Sequence, residues 1–226
     1  MDKLNFRTLH ADEIECRVGA VTDGKGCSLL MYKNARVDMT LLDEVVGPEK
    51  WKRSHELING SLFCTVAVLS DNGEWVTKQD VGTESYTEKE KGQASDAFKR
   101  ACVNWGIGRE LYTCPFVWIN LKDDEWKSGY NGKRQPKPRF VVSAIEYDDQ
   151  RRVSFLEIKD EKGEVRYTWG NSSELDDVRA EAIDRVKRAT TRKELEDTYK
   201  LYPGLKEDPV FVDACTKQSK KIEKVA

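Results

Sequence analysis

The chain has 226 residues, with 38 basic and 40 acidic side chains, 38% hydrophobic residues and 9% aromatic residues. This length suits one domain with an appendage or two small domains, and the hydrophobic content excludes a wholly disordered chain. No run of about 18 apolar residues is present, which excludes a transmembrane helix, and no membrane partner is expected. Residues 1–7 contain no apolar signal region, so secretion is not expected either.

The net charge of −2 conceals a difference between segments. Residues 1–84 carry a net charge of −4, residues 85–139 carry +4, residues 140–170 carry −2 and residues 171–226 carry zero. Any contact with nucleic acid is therefore expected to be confined to a groove or face drawn from the middle segment. The alternative is that the local excess of positive charge is simply solvated.

The six cysteines form no CxxC pair, and the chain has two histidines, His10 and His55. A metal site would need scattered ligands, so neither a metal nor any other cofactor is expected. Thiols without a disulfide spacing indicate a reducing cytoplasm. Cys64 and Cys102 lie inside apolar runs and are predicted to be small core residues.

The first half of the chain predicts a helix followed by a β-hairpin. Apolar residues from Leu41 to Val46 have helical spacing, with Asp38 as the expected N-cap and Gly47-Pro48 as the end. Residues 61–69 and 74–81 are β-rich runs joined by a turn at Asp71-Asn72-Gly73, which indicates a hairpin.

The strongest helical pattern comes next. Ser85 and Glu88 have capping-box spacing, and an apolar stripe follows at Ala94, Ala97, Phe98, Ala101, Cys102 and Trp105. Such a stripe is expected to lie on a sheet. Lys99 and Arg100 fall on opposite shoulders of the stripe, near the boundary with solvent.

The second half predicts four strands, at residues 116–121, 140–147, 153–159 and 165–169, with a mobile loop over residues 126–139. Helical patterns then cover residues 172–189, 191–199 and 208–223, which places a boundary near Gly170. The fold class is therefore α+β, in which a long helix packs on an antiparallel sheet, with a C-terminal helical appendage.

The run from Ser95 to Tyr112, SDAFKRACVNWGIGRELY, within this helix–hairpin–helix order resembles the single-strand-annealing domain of the Rad52/Rad22-type recombination proteins, most closely its phage and prophage branch. The resemblance covers roughly residues 37–112. It implies a β-β-β-α core that forms oligomeric rings, with single-stranded DNA held by its backbone in a groove around the ring. Residues 1–170 would then be the annealing and oligomerisation domain, and residues 171–226 a C-terminal helical region.

The resemblance also assigns residues. The basic pair of the family's groove maps onto Lys99 and Arg100, and the arginine before its first helix maps onto Arg36, with the spacing to Gly47 changed by one residue. A third basic residue that usually follows is Val103 here. Because Val103 lies opposite the apolar stripe, we favour contact with a neighbouring protomer, although an isolated exposed valine is the alternative.

A protein that anneals strands must neutralise phosphates without reading sequence, and a pair of cations anchored by an apolar stripe suits that task. The predicted loop adds basic residues interleaved with Trp126 and Tyr130, which could form a second contact by charge and stacking. Its alternative is a solvated loop whose aromatic rings pack on the sheet. The full set of candidate DNA contacts is Lys99, Arg100, Arg36, Arg109, Lys91, Lys133, Arg134 and Lys137.

The leading hypothesis is thus a non-enzymatic annealing protein that acts in recombination and repair as a homo-oligomer. A second hypothesis is an adaptor whose helical tail recruits a single-strand-binding protein or an exonuclease. A third is a metal-dependent nuclease that uses Asp80, Glu84 and Glu88, but acidic residues after a strand are more often caps and solvated surface. No GxxxxGK[ST] loop is present, which argues against a nucleotide-driven motor of that type.

Overall fold

The computed structural model describes residues 4–83, 89–129 and 132–225 of the chain. They form two compact units, one ending at Gly170 and the other beginning at Asn171. Antiparallel sheets combined with helices confirm the α+β fold class and the helical C-terminal part. The functional labels given to the two domains stay predictions.

The first unit contains, in chain order, β1 (Ile14–Thr22), β2 (Gly26–Lys33), α1 (Ala35–Val46), β3 (Trp51–Ile58), β4 (Ser61–Leu69), β5 (Trp75–Val81), α2 (Lys89–Trp105), β6 (Val117–Asn120), β7 (Trp126–Ser128), β8 (Arg134–Pro136), β9 (Phe140–Tyr147), β10 (Val153–Asp160) and β11 (Val165–Gly170). A six-stranded sheet has the order β11-β10-β9-β1-β2-β6. A three-stranded sheet has the order β3-β4-β5, and β7 pairs with β8.

The three-stranded sheet and α2 form the expected β-β-β-α arrangement. Strand β4 is central and pairs with β3 and β5 along its length. The turn before β4 is Asn59-Gly60, and both residues have positive φ, which suits a two-residue hairpin. The sequence prediction missed β3 because its side chains are mostly polar and exposed, so they give no hydrophobic alternation.

Helix α2 packs its apolar stripe against this sheet. Ala97, Phe98, Ala101 and Cys102 are fully buried in one core with residues of β4 such as Cys64. Where β5 ends, a Cβ atom on Gly82 would lie 2.2 Å from the carbonyl oxygen of Gln93 and 2.7 Å from the amide nitrogen of Ala97. The backbones of strand and helix therefore meet at a distance that excludes any side chain at this position.

The tryptophans divide between the core and the surface. The Trp51 ring stacks on Phe98 with 6.1 Å between centroids, and Trp105 Nε1 donates to the carbonyl oxygen of Val66 at 3.2 Å, so both rings pack against the main core. Trp75 is 41% exposed.

Two local predictions were wrong in the N-terminal part. Asp38 is not the N-cap of α1. The N-cap is Asn34, whose side chain accepts a hydrogen bond from the Arg36 amide, and Asp38 is buried in the first turn of the helix. The β1–β2 hairpin was missed altogether. Its first strand alternates apolar and charged residues only over residues 14–18, and Gly19 and Ala20 then interrupt the pattern, so the apolar alternation is short.

The predicted mobile loop was also wrong in part. Strands β7 and β8 form a short antiparallel pair within it, and Trp126 is 6% exposed and belongs to the main core. Trp126 therefore packs inward and does not stack on a ligand. Tyr130 lies outside the described residues, as do Ser85 and Glu88 of the expected capping box.

The second unit contains α3 (Ser173–Arg188), α4 (Arg192–Leu201) and α5 (Pro209–Val225). Ser172 caps α3 and Thr191 caps α4. Val186, Leu195 and Phe211 belong to a hydrophobic core of its own. In the described part of the chain, no helix has the length and apolar character needed to cross a bilayer.

Candidate nucleic-acid interface

A groove of about 470 Å³ lies between α2 and the β1–β2 hairpin. The residues that line it come from three segments of the chain. The hairpin contributes Arg17, Leu30, Met31, Tyr32 and Lys33, and α2 contributes Asp96, Lys99, Arg100 and Val103. The segment after α2 contributes Gly108, Leu111 and Tyr112. We call this set the α2 groove. Lys99, Arg100 and Val103 share it because residues three and four apart lie on one side of a helix.

Lys99 is half-buried in the α2 groove, and its Nζ lies 5.5 Å from the centroid of the Tyr32 ring. The Tyr32 hydroxyl donates to Glu15 Oε2 at 2.5 Å across the β1–β2 ladder. That hydrogen bond, together with burial, raises the pKa of Tyr32 to about 12. The ring therefore stays neutral and presents its negative face to the ammonium group.

Arg100 also lines the α2 groove and reaches toward β5. Its Nε lies 3.3 Å from Asp80 Oδ1 on β5, and 44% of its side chain is exposed. Asp80 is held in turn by the Asn104 amide, whose Nδ2 donates to Asp80 Oδ2 at 3.3 Å. An exposed pair of this kind is worth about 0–1 kcal/mol. Asp80 therefore offsets part of the Arg100 charge while the guanidinium group stays exposed to solvent.

Arg17 is a groove residue that the sequence prediction missed. It is exposed on β1, pairs across the ladder with Leu30, and lines the α2 groove opposite Lys99 and Arg100. Within the described residues it makes no ion pair, so its charge is available to a ligand. Had the β1–β2 hairpin been recognised, the period of two would have placed Arg17 on the same face as Glu15.

A buried ion pair lies beneath the groove. Lys33 and Asp38 have side chains that are 5% and 0% exposed, and Lys33 Nζ also donates to the carbonyl oxygen of Lys99 at 3.4 Å. Burial raises the pKa of Asp38 to about 6, opposed by the Lys33 charge. The aliphatic part of the Lys33 side chain passes close to Gly108, which has a φ of 69°. A Cβ atom at Gly108 would lie 2.3 Å from Lys33 Cε, so the contact requires glycine.

The lining of the α2 groove is electropositive. Among the described residues its accessible cations are Arg17, Lys99 and Arg100 and its one carboxylate is Asp96, while the charge of Lys33 is balanced by Asp38. The Asp96 carboxylate is occupied by the amide and hydroxyl of Thr83, both at 3.0 Å. Tyr112 and Leu30, which are 72% and 48% exposed, add apolar surface. Such a lining suits an extended polyanion that carries flat aromatic groups.

The structure does not bring the other predicted residues of the N-terminal and middle segments into this groove. Arg109 binds the end of α2, donating to the carbonyl oxygens of Val103 and Asn104. Arg36 is exposed in the first turn of α1, and Lys91 is exposed near the start of α2. Neither lines the α2 groove, and their contact with DNA stays a prediction.

The basic residues of the predicted loop lie in another region. Arg134 pairs with Asp23 at 2.6 Å, and its guanidinium carbon lies 5.2 Å from the centroid of the Trp126 ring. Lys137 Nζ donates to the carbonyl oxygen of Asp124 at 2.7 Å, and Lys133 is exposed. A DNA contact by these three residues also stays a prediction.

The described residues do not form the acidic cluster of Asp80, Glu84 and Glu88 that a nuclease would need. Asp80 is engaged by Arg100 and Asn104, whereas Glu84 and Glu88 lie outside the described residues. Over residues 4–83, 89–129 and 132–225, no group of three or more His, Cys, Asp or Glu side chains has a metal-binding arrangement.

Comparison with known proteins agrees with the sequence resemblance and extends it. The model of a family described as Rad52/22 family double-strand break repair protein matches residues 2–127, which include β1, β2, α1, the three-stranded sheet and α2. The match therefore covers more than half of the chain and both walls of the α2 groove.

Two curated relatives carry the name single-stranded DNA-binding protein DdrA. The protein of Deinococcus radiodurans is 38% identical over 98 residues, which cover 42% of this chain and 46% of that relative. The protein of Deinococcus deserti is 28% identical over 170 residues, which cover 73% of this chain and 79% of that relative. The chain thus matches less than half the length of the first relative and most of the second.

Proposed function

The chain belongs to the Rad52/22 family of double-strand break repair proteins, and from this membership we propose that it binds single-stranded DNA and anneals complementary strands in recombination and repair. The observation that carries the proposal is the α2 groove, where Lys99, Arg100 and Arg17 line one electropositive channel. The name of the two relatives, single-stranded DNA-binding protein, supports the same ligand.

In the proposed mechanism the groove captures the DNA backbone. Lys99 and Arg100 neutralise phosphates from one wall and Arg17 from the other, without base-edge contacts, so any sequence is accepted. Tyr112 offers an exposed ring for stacking. Watson–Crick pairing with a second strand then supplies the driving force. The mechanism contains no chemical step on the protein and requires no cofactor.

We further propose that the protein works as a ring of identical subunits in the cytoplasm. Support for oligomerisation comes from β3, which is an edge strand with seven of its eight residues exposed. A long unpaired strand edge is a template for another chain unless it is covered. Pairing at this edge would continue the three-stranded sheet into a neighbouring subunit.

The test is the double variant Lys99→Ala with Arg100→Ala, compared with Lys220→Ala with Lys221→Ala on α5. We expect the groove variant to anneal complementary oligonucleotides more slowly while its circular dichroism is unchanged. Because each phosphate contact on a single strand contributes about 0.7 to the salt slope of binding, the slope should fall by about 1.4. The α5 variant should keep both properties.

Unchanged annealing together with an unchanged salt slope in the groove variant would remove the α2 groove from the mechanism. The ring is tested separately by native mass measurement with and without a single-stranded oligonucleotide. A stable monomer that ignores the oligonucleotide would contradict the whole proposal.

The adaptor function remains a second candidate because residues 171–226 form a compact unit with a hydrophobic core of its own. Deletion of residues 172–226 separates the two functions. Retained annealing in the truncated chain favours annealing by the first unit. Retained annealing with loss of binding to a single-strand-binding protein or an exonuclease would assign recruitment to the helical unit.

A further inference from the structure

The six-stranded sheet opens between β1 and β9. Glu15 and Val141 form the one ladder pair found between these strands in the described residues, whereas β1 pairs with β2, and β9 with β10, at seven positions each. The chain before β9 contains Pro136, which belongs to the β7–β8 pair, and Pro138, which has no amide hydrogen to donate to a ladder. Residues 16–22 of β1 therefore have no partner strand on this side among the residues that the structure describes.

A cavity of about 760 Å³ occupies the opening. We call it the β1–β9 cleft and define it by Val18 and Val21 on one side and by Lys127, Lys137, Arg139 and Val141 on the other. Its volume lies within the range of cavities that bind ligands. Val21 and Val141 are 39% and 52% exposed, so apolar surface is available along both sides.

We propose that the β1–β9 cleft binds an extended acidic peptide segment of a partner protein, which pairs with the free edge of β1 as an added strand. The free edge presents backbone N–H and C=O groups that a peptide backbone can complement on either side of the register irregularity between Val18 and Val21. Side chains of the added strand that point toward Val21 and Val141 would be apolar, and their neighbours would be acidic.

The charge of the cleft selects the acidic partner. Lys127, Lys137 and Arg139 make no ion pair within the described residues. The Lys137 ammonium group donates to a neutral carbonyl oxygen, and the carboxylate near Arg139 accepts from its backbone amide. The two acids of the lining, Asp12 and Glu15, lie where β1 meets β9, and Glu15 is occupied by the Tyr32 hydroxyl.

The same cations could attract single-stranded DNA, but the strand edge favours a peptide. A phosphodiester backbone has no hydrogen-bond donors to satisfy the free carbonyl groups of β1, and it gains nothing from the exposed valines. The peptide site is separate from the α2 groove, because none of the cations that define the β1–β9 cleft lines that groove. Lys137 is also a predicted DNA contact, so the experiment includes a competing oligonucleotide.

The experiment titrates the full chain with a fluorescent ten-residue peptide in which Asp or Glu alternates with Val, monitored by anisotropy. A second peptide has the same sequence but is N-methylated at alternate residues, which removes the strand hydrogen bonds along one edge. Lys137→Glu with Arg139→Glu is the cleft variant, and Lys220→Glu with Lys221→Glu is the matched control.

We expect saturable binding of the first peptide that weakens at least tenfold with N-methylation and at least tenfold in the cleft variant. The control variant and the groove variant Lys99→Ala with Arg100→Ala should bind the peptide as the wild type does. Amide hydrogen exchange of residues 17–22 should slow when the peptide is bound.

Three results would overturn the proposal. One is no saturable binding up to about 1 mM peptide, a Kd that corresponds to about −4 kcal/mol. Another is equal binding of the N-methylated peptide, which excludes strand addition. The third is displacement of the peptide from the wild type by oligo(dT), combined with loss of oligo(dT) binding in the cleft variant, which would assign the cleft to DNA.

Discussion

Lys33 and Asp38 form a buried ion pair directly beneath Lys99, with Lys33 Nζ 2.5 Å from Asp38 Oδ1 and 3.4 Å from the carbonyl oxygen of Lys99. Lys33 is the last residue of β2, and Asp38 lies in the first turn of α1. One ammonium group thus ties a strand and two helices together. The position of the α2 groove depends on this contact, since Lys33 belongs to one wall and Lys99 to the other.

Replacing Lys33 by Met should destabilise the fold strongly. The change leaves the Asp38 carboxylate buried without its partner, a loss that costs about 3–5 kcal/mol. The double variant Lys33→Met with Asp38→Leu should recover most of that free energy, because no charge then remains buried. Urea denaturation of the three proteins measures both effects. A double variant no more stable than Lys33→Met would contradict this account.

The stability of the protein should also depend on the titration of Asp38. Its pKa in the folded protein is raised to about 6 from an ordinary value of 3.8, because burial penalises the charged form. The folded state therefore binds the proton more tightly than the unfolded state. The resulting stabilisation is complete below pH 3.8 and is lost as the pH rises through 6.

The measurement compares the free energy of unfolding of the wild type with that of Asp38→Asn from pH 4 to pH 7. The difference between the two should fall with rising pH by up to about 3 kcal/mol, the equivalent of a raised pKa of this size. A difference that rises with pH would show that attraction to Lys33 outweighs burial.

Asp80→Asn should strengthen the binding of single-stranded DNA. The amide keeps the shape of Asp80 but removes the carboxylate charge beside Arg100. Since an exposed ion pair is worth up to about 1 kcal/mol, the affinity for oligo(dT) should rise by up to about fivefold. Fluorescence anisotropy at fixed salt gives the result. Weaker binding would mean that Asp80 acts chiefly by orienting the guanidinium group.

Arg17→Ala tests the wall of the α2 groove that sequence patterns did not identify. Loss of one phosphate contact should lower the salt slope of oligo(dT) binding by about 0.7. Lys162→Ala, in the turn between β10 and β11, is the matched control and should leave the slope unchanged. If the two variants behave alike, Arg17 does not contact the DNA.

The sequence predicted the part of the fold that local signals determine. The stripe on α2 and the Asp71-Asn72-Gly73 turn are read within a few residues, and both were correct. The β1–β2 hairpin was missed because the alternation of apolar and charged residues in its first strand ends at Gly19. Strand β3 was missed because it is exposed on both faces, so its sequence shows no alternation of hydrophobic and polar residues.

Part of the candidate site could also be predicted, because Lys99 and Arg100 lie on one helix with a clear apolar stripe. Helical geometry placed Lys99 and Arg100 on the two shoulders of the apolar stripe, near solvent, and the family resemblance assigned them to one groove. Their relation to Arg17 and to the Lys33–Asp38 pair requires contacts between segments far apart in the chain. Sequence also cannot distinguish a cation that faces a ligand from one that caps a helix, as Arg109 does with the last carbonyl groups of α2.

Gly82 is required by the fold and not by the ligand. The space for a side chain at this position is filled by the backbone of α2, so we expect glycine in every homologue that keeps the same helix-on-sheet contact, whatever that homologue binds. The cations of the groove are free to change as the ligand changes. A homologue with this glycine but without the cations would thus share the fold by common descent and would not bind DNA in this groove.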